Sequence, residues 1–279
     1  MKATVFPFTR NVIVAIVFLY TIGFLIVFAT VGLWEAMHRF VVEAVLLVLW
    51  LWVSHKLLGN TPTEDSSVKR PCMELVLGLI VLALFFAMLT LYFLGTSWLF
   101  WLDEVVIYGF PLIMFFALRY NTRAMGLSIA PPRAWLVVLV VAAIQFAIGF
   151  LTGYILPPGE LSLSLGSAAT GQASSSADVL AFFGRSLLIA AIPEELFFRV
   201  YLQPRLAHYL PLGWAILIQA LLFSAFHLPS MILYHGYSWS LALAEILSIN
   251  NGLIGGYIWS RTRSLPLLSV LHLFAYLRF

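Results

Sequence analysis

Charged residues and cysteine are both scarce in this chain of 279 residues. Only 10% of the residues are charged, against about 25% in soluble globular domains, while 62% are hydrophobic. This composition excludes a soluble fold with a charged surface, and the mean hydropathy of +1.01 points to a lipid bilayer as the solvent. The one cysteine, Cys72, excludes an internal disulfide and a metal site built from thiolates.

A basic patch is also lacking, although the formal net charge is +3. The 15 Lys and Arg residues are spread thinly between apolar runs, so we expect no nucleic-acid partner. Most of them fall in alternate connections between these runs: Lys2 and Arg10; Lys56, Lys69 and Arg70; Arg119, Arg123 and Arg133; Arg205; Arg261 and Arg263. The positive-inside rule makes these connections cytoplasmic, and with them the N-terminus. The compact polytopic form favours a bacterial plasma membrane.

Long apolar runs predict an all-α, polytopic integral membrane bundle of about eight or nine transmembrane helices. With roughly 20 apolar residues per span, the candidate spans are 11–33, 40–58, 74–95, 99–118, 135–156, 181–207, 212–229, 240–260 and 265–279. The first run exceeds the core of a signal peptide, about 7 to 15 residues. We therefore interpret it as a retained membrane anchor.

Three charged residues, Glu194, Glu195 and Arg199, lie within a stretch of six residues inside the sixth apolar run. Each costs about 2.5–3.5 kcal/mol at the centre of a bilayer on insertion scales, so the cluster needs an explanation. Glu195 and Arg199 are four residues apart, share a helical face and can form an ion pair. Glu194 lies about 100° around the helix. It is therefore free to act as a general acid or base.

A turn at 210–213 predicts a helical hairpin that brings His227 to the same depth as Glu194, because both lie equally far from a turn centre between residues 210 and 211. His272 lies in the last apolar run and is shallower by the same count unless the helices tilt. A carboxylate beside two imidazoles can activate water for attack on an amide. The residues alone also allow a structural ion-pair network or a proton- or ion-coupled transport pathway.

The run Glu194-Glu195-x-x-x-Arg199, followed by Phe223-x-x-x-His227, resembles the first two motifs of the CPBP family of intramembrane proteases. This family is also called the CAAX protease and bacteriocin-processing, or Abi, family, and includes the CAAX prenyl protease 2 type. The resemblance implies membrane helices around a polar cavity in which a glutamate activates water for peptide-bond hydrolysis. It makes Glu194 the base, Glu195, Arg199 and Phe223 supporting residues, and His227 a catalytic or oxyanion-supporting residue.

His272 resembles the histidine of the family's third motif, which makes it the third catalytic candidate. The family normally has Asn or Asp four residues later, where this chain has Tyr276. A phenol can donate one hydrogen bond to an oxyanion. Asn250, in the eighth span, either packs against a neighbouring helix or replaces the missing Asn.

The resemblance covers roughly residues 119–279, which we expect to form the protease core, while 1–118 form variable N-terminal transmembrane helices. It implies no metal and no cofactor; the alternative is zinc held by Glu194, His227 and His272. The expected partners are the bilayer and a membrane protein or lipidated peptide as substrate. Tyr276 favours a second hypothesis, a catalytically inactive binding or bacteriocin-immunity protein. An ion-coupled transporter is the third.

Overall fold

The computed structural model describes residues 6–59, 68–95, 100–155, 176–234 and 236–275. These residues are helical throughout except for connections, and within them there is no strand, so the predicted all-α class is confirmed. In chain order the helices are α1 (Arg10–Thr30), α2 (Leu33–Leu58), α3 (Pro71–Phe93), α4 (Phe100–Ala117), α5 (Pro132–Ile155), α6 (176–209), α7 (Leu212–Phe226), α8 (Trp239–Leu247), α9 (Asn250–Thr262) and α10 (Leu265–Ala275).

Several of these helices are long and apolar enough to cross a bilayer, and the chain is an integral membrane protein. Within the described ranges the criterion is met by Arg10–Thr30, Leu33–Leu58, Pro71–Tyr92, Leu212–Leu233 and Trp239–Thr262. Shorter apolar helices occur at Val105–Ala117, Pro132–Ile144 and Leu265–Phe274. The polytopic helical bundle is thus confirmed, whereas the count of eight or nine spans stays a prediction.

The eighth predicted span, 240–260, is not one straight helix. α8 ends at Leu247, and α9 begins at Asn250 after a non-helical turn at Ser248. The side chain of Asn250 binds Tyr20 on α1 and Glu43 on α2, so the break directs a polar side chain into a three-helix contact. In lipid, such a break is tolerated where the backbone is buried in protein.

Helix α6 is continuous but unevenly wound. Its stretches Leu187–Ala191 and Leu196–Leu202 are π-helical and flank the short α-helical segment Ile192–Glu195. Pro193 has no backbone N–H to donate, which removes one α-helical hydrogen bond at this point. Wider π turns are often found at functional sites, where they turn side chains to a new direction. Here they surround the predicted catalytic glutamate.

Contacts between connections place the basic segments at one end of the bundle. The Nζ atom of Lys69 donates to the backbone oxygen of Arg119 at 2.8 Å. The backbone N–H of Leu265 donates to the backbone oxygen of Gly126, also at 2.8 Å. The alternation of charge along the sequence is therefore matched by the tertiary arrangement. That this end is cytoplasmic stays a prediction.

The hydrophobic core crosses the predicted boundary between residues 118 and 119. Val12 on α1 and Trp50 on α2 belong to the same buried cluster as Trp259 on α9 and Leu268 on α10. The N-terminal helices thus complete the core around the site, and the division into two domains stays a prediction.

Candidate active site

Glu195 and Arg199 form a buried ion pair on α6. The Nε atom of Arg199 lies 3.2 Å from Oε2 of Glu195, and their side chains are 1% and 3% exposed. Arg199 also lies over the ring of Phe223 on α7, 4.2 Å from its centroid. A cation over an aromatic face is attracted by the ring quadrupole, most strongly where water is excluded. Phe223 thus supports the guanidinium that neutralises Glu195.

His272 connects the two glutamates. Its Nδ1 atom lies 2.9 Å from Oε1 of Glu195, a hydrogen-bond distance, and its Nε2 atom lies 3.6 Å from Oε2 of Glu194. A hydrogen bond at one ring nitrogen selects the tautomer and orients the other nitrogen. Glu195 therefore turns the imidazole of His272 towards Glu194.

His227 faces Glu194 from the other hairpin arm. Its Nε2 atom lies 3.8 Å from Oε2 of Glu194, while its Nδ1 atom contacts the backbone oxygen of Phe223 at 2.9 Å. The structure brings the two together as the hairpin count predicts. His227 is the more exposed partner, with 35% of its side chain accessible against 11% for Glu194.

The shallower depth predicted for His272 is corrected by its contact with Glu194. Glu194 lies 15 residues before the end of α6, and His272 lies seven residues after the start of α10. If α6 ended and α10 began at the same depth and both helices were straight and parallel, Glu194 and His272 would differ in depth by more than 10 Å, at about 1.5 Å per residue. The two helices are therefore not straight and parallel with their ends at one level.

One oxygen of Glu194 remains without a hydrogen bond. Within the described part of the chain, Oε2 of Glu194 is buried and has no hydrogen-bond partner, although two imidazole Nε2 atoms lie near it. The separations of 3.6 and 3.8 Å exceed the usual hydrogen-bond range of about 2.7–3.2 Å. A carboxylate oxygen between two imidazoles at this spacing can accept a proton from a water molecule bound beside it.

A cavity lies next to this cluster. Its wall includes Glu195, Arg199 and His272, together with Trp50 from α2 and Asn251 from α9. The sequence analysis did not identify Trp50 or Asn251 as site residues. No motif marks Trp50 among the nine Trp residues of the chain. Only packing of α2 against the core brings it here.

Two predicted supporting residues lie elsewhere. The side chain of Asn250 bonds to Tyr20 and to the side chain and backbone oxygen of Glu43, which places it in the contact of α9 with α1 and α2. The structure therefore does not bring it to the Glu194 cluster, and its packing role is the one the contacts favour. Tyr276 falls outside the described residues.

A second buried ion pair escaped the sequence analysis. Arg205 on α6 donates from Nε to Oε2 of Glu74 on α3 at 3.0 Å, and the hydroxyl of Tyr120 donates to Oε1 of Glu74 at 2.9 Å. Both charged side chains are buried. Glu74 and Arg205 have opposite charges and lie near the same predicted membrane face. This was the sequence signal that could have identified the pair. This pair joins α3 to the helix that carries the candidate site.

The zinc alternative requires three converging ligands. Among the residues that the structure describes, no group of three or more His, Cys, Asp or Glu side chains is arranged to hold a metal ion.

Comparison with known proteins identifies the region that contains this cluster. No curated protein and no solved structure matches the chain. A sequence model described as Type II CAAX prenyl endopeptidase Rce1-like matches residues 176–277, which include α6 to α10. The match covers little more than a third of the chain and contains Glu194, His227 and His272. Residues 176–277 are therefore similar to the Rce1-like, type II CAAX prenyl endopeptidase family, and the resemblance inferred from the motifs is confirmed for this part of the chain.

Proposed function

We propose that this protein is an intramembrane endopeptidase in which Glu194 activates the water that hydrolyses a peptide bond. The observation that carries the proposal is the convergence of His227 and His272 on the unpartnered oxygen of Glu194. Family membership supports protease activity in general. The assignment of roles to residues rests on the geometry.

In this mechanism Glu194 accepts a proton from water while the water oxygen attacks the carbonyl carbon of the substrate. The resulting oxyanion needs hydrogen-bond donors. Nδ1 of His227 donates to the backbone oxygen of Phe223, so His227 supplies a donor from Nε2 in its doubly protonated, imidazolium form. Glu194 then returns its proton to the amide nitrogen as the carbon–nitrogen bond breaks. The products are a carboxylic acid and an amine, and no redox partner is required.

Glu195 has a different role because its oxygens are already engaged. Oε1 bonds to His272, and Oε2 faces Arg199. Glu195 therefore orients an imidazole rather than activating water. Of these two adjacent glutamates, Glu194 is thus assigned as the general base and Glu195 as a positioning residue.

The substrate class that we propose is a membrane-associated peptide or protein, with a lipidated CAAX-type C-terminus as the first candidate. Support comes from the family match, and from a site on helices that include apolar spans. A bacteriocin or signal peptide presents the same kind of bond in the same environment. We further propose that hydrolysis is metal-independent, as the resemblance to the family implies.

Cleavage of a lipidated reporter peptide by the purified protein in lipid nanodiscs tests this function. We expect Glu194→Gln to lower kcat by about 10²–10⁴-fold, the usual contribution of a general base. His227→Ala should lower kcat by about 10²–10³-fold, as loss of an oxyanion donor does. Glu35→Gln is the matched control, because Glu35 pairs with Arg39 on α2, away from the cluster.

Equal cleavage by the wild-type protein and Glu194→Gln would overturn the glutamate mechanism. Loss of activity with a chelator, restored by zinc, would overturn metal independence.

The inactive family member remains the second candidate function, favoured by Tyr276 at the position where the family has Asn or Asp. If Tyr276 blocks catalysis, the wild-type protein should not cleave the reporter, whereas Tyr276→Asn should. A binding or immunity function would then give the wild-type protein a biological phenotype without cleavage. If Tyr276 supports the oxyanion, Tyr276→Phe should lower kcat and Tyr276→Asn should retain it. The comparison of the three proteins separates the two functions.

A further inference from the structure

The cavity beside the ion pair lies between α2, α5, α6, α9 and α10, on the Glu195 side of the cluster. About 30 Å³ of it is open to the centres of water molecules. One water needs about 10–15 Å³ by this measure, so the cavity accommodates about two. This space is too small for a substrate side chain or a lipid tail.

The cavity wall carries buried polar groups without hydrogen-bond partners. Among the described residues these are Nε1 of Trp50, Nη1 of Arg199, and the ion-paired atoms Nε of Arg199 and Oε2 of Glu195, which lie 3.2 Å apart without a hydrogen bond. Each of the three residues is at most 2% exposed. Buried polar groups in folded proteins are nearly always satisfied by protein or by ordered water. The side chains of Val141, Ile254, Leu268 and Leu271 on the same wall carry no hydrogen-bonding group.

We infer that two ordered water molecules bind in this cavity and bridge Trp50 to the Glu195–Arg199 ion pair. The donors and acceptors match this occupant: indole and guanidinium N–H groups donate to water, and water donates to the carboxylate oxygen. A cation would meet the positive charge of Arg199, and an anion would meet Glu195. Neutral water fits both.

The waters make Trp50 a positioning residue for the site. Trp50 lies on α2, outside the matched residues 176–277, and reaches Glu195 and Arg199 only across the cavity. Glu195 holds His272, and His272 faces Glu194. The N-terminal helices thereby contribute to the orientation of the imidazole. The effect on catalysis rests on the proposed function, whereas water binding does not.

Trp50→Phe tests the water site because it removes one N–H and retains an aromatic ring. X-ray hydroxyl-radical labelling modifies side chains next to bound water, including buried ones such as Leu268 on the cavity wall. We expect Leu268 to be labelled in the wild-type protein and labelling to fall at least threefold in Trp50→Phe. Trp52→Phe is the matched control, with the same change on the exposed face of α2, and should label like the wild type.

A second variant approaches the cavity from its apolar side. Val141→Ile adds a methylene group to the wall and should displace one water, lowering Leu268 labelling without touching a polar group. A structure at a resolution that shows ordered water should contain two water peaks in the wild-type cavity. Absence of these peaks, density for an acyl chain or an ion, or labelling that is equal in Trp50→Phe would overturn the proposal.

Cleavage supplies the separate readout of positioning. Loss of one hydrogen bond to the ion pair should lower kcat about three- to tenfold in Trp50→Phe with KM unchanged. An unchanged kcat would overturn the positioning role of Trp50. If even the wild-type protein fails to cleave the reporter, the proposed function fails, and the labelling experiment still decides the water site.

Discussion

At the scale of single residues, partners distinguish two side chains of the same type. Glu195 is held by Arg199 and His272, while Oε2 of Glu194 has no hydrogen bond to any residue that the structure describes and faces two imidazole nitrogens. A buried carboxylate that is paired with a cation stabilises an arrangement, and one beside imidazoles alone is available for proton transfer. The difference between consecutive residues arises from the 100° rotation of a helix.

The Glu195–Arg199 pair should make removal of Arg199 strongly destabilising. Arg199→Met leaves Glu195 buried without its cation, and we expect the free energy of unfolding to fall by about 3–5 kcal/mol. Denaturant unfolding of the protein in detergent micelles measures this. The double variant Glu195→Gln/Arg199→Met should recover part of the loss, because no uncompensated charge remains.

Arg185→Met is the control for that series. Arg185 is an exposed arginine on the same helix, and its substitution should change stability by no more than about 0.5 kcal/mol. An equal loss for Arg185→Met and Arg199→Met would contradict the ion-pair argument.

At the scale of helices, small residues set how closely α7 and α9 pack. A Cβ atom on Gly252 would lie 2.5 Å from Cβ of Ala220 and 2.6 Å from its Cα atom. Van der Waals contact between carbons requires about 3.5–4.0 Å. Since α7 carries Phe223 and α9 lines the cavity, this close approach also sets the dimensions of the site.

Gly252→Ala should therefore push α7 and α9 apart. We expect a loss of about 1–3 kcal/mol in unfolding free energy, as overpacking typically costs. Ala220→Gly removes the methyl group but leaves the Cα atom 2.6 Å away, so it should recover only part of the loss. Gly184→Ala on α6, where an added Cβ meets nothing within 4 Å, should be neutral or stabilising. Equal stability of Gly252→Ala and Gly184→Ala would show that the close contact does not limit the packing of α7 and α9.

At the scale of the whole molecule, the N-terminal helices are built into the same core as the family-matched region. Glu74 and Arg205 form a buried ion pair between α3 and α6, and Trp50 and Val12 belong to the cluster that includes Trp259. Removing 1–118 would leave Arg205 without its carboxylate and expose the apolar face of the remaining helices.

A fragment of residues 119–279 should consequently fail to fold alone. We expect it to aggregate on size-exclusion chromatography in detergent, and co-expression with a fragment of residues 1–118 to restore a monodisperse complex. A monodisperse 119–279 fragment with cooperative unfolding would establish an autonomous protease domain instead.

Cys72 allows membrane orientation to be measured without any substitution. It is the sole cysteine of the chain, is exposed, and lies at the start of α3 beside Lys69 and Arg70. With those residues cytoplasmic, a membrane-impermeant maleimide should label Cys72 in inside-out vesicles and not in right-side-out vesicles. Cys72→Ser is the background control. The reverse pattern would invert the topology predicted from charge.

Much of the candidate site follows from local spacing. The pairing of Glu195 with Arg199 needs only a helix, and the approach of His227 to Glu194 needs only a tight hairpin. The placement of His272 could not be predicted from local spacing, because its depth depends on the tilt of its helix and on the depth of the turn that precedes it. Asn250 was placed by a helix break that no local pattern marks.

The sequence by itself determined that the protein lies in a bilayer, that it is helical, and which polar residues within its apolar runs need a structural or functional role. These conclusions follow from transfer energies and helical periodicity, which act within short segments. Tertiary structure alone decided that His272 turns between two glutamates, that Asn250 packs against α1 and α2, and that Trp50 closes a cavity beside Arg199. These depend on contacts between segments up to about 230 residues apart, whose relative tilt and height no residue pattern encodes.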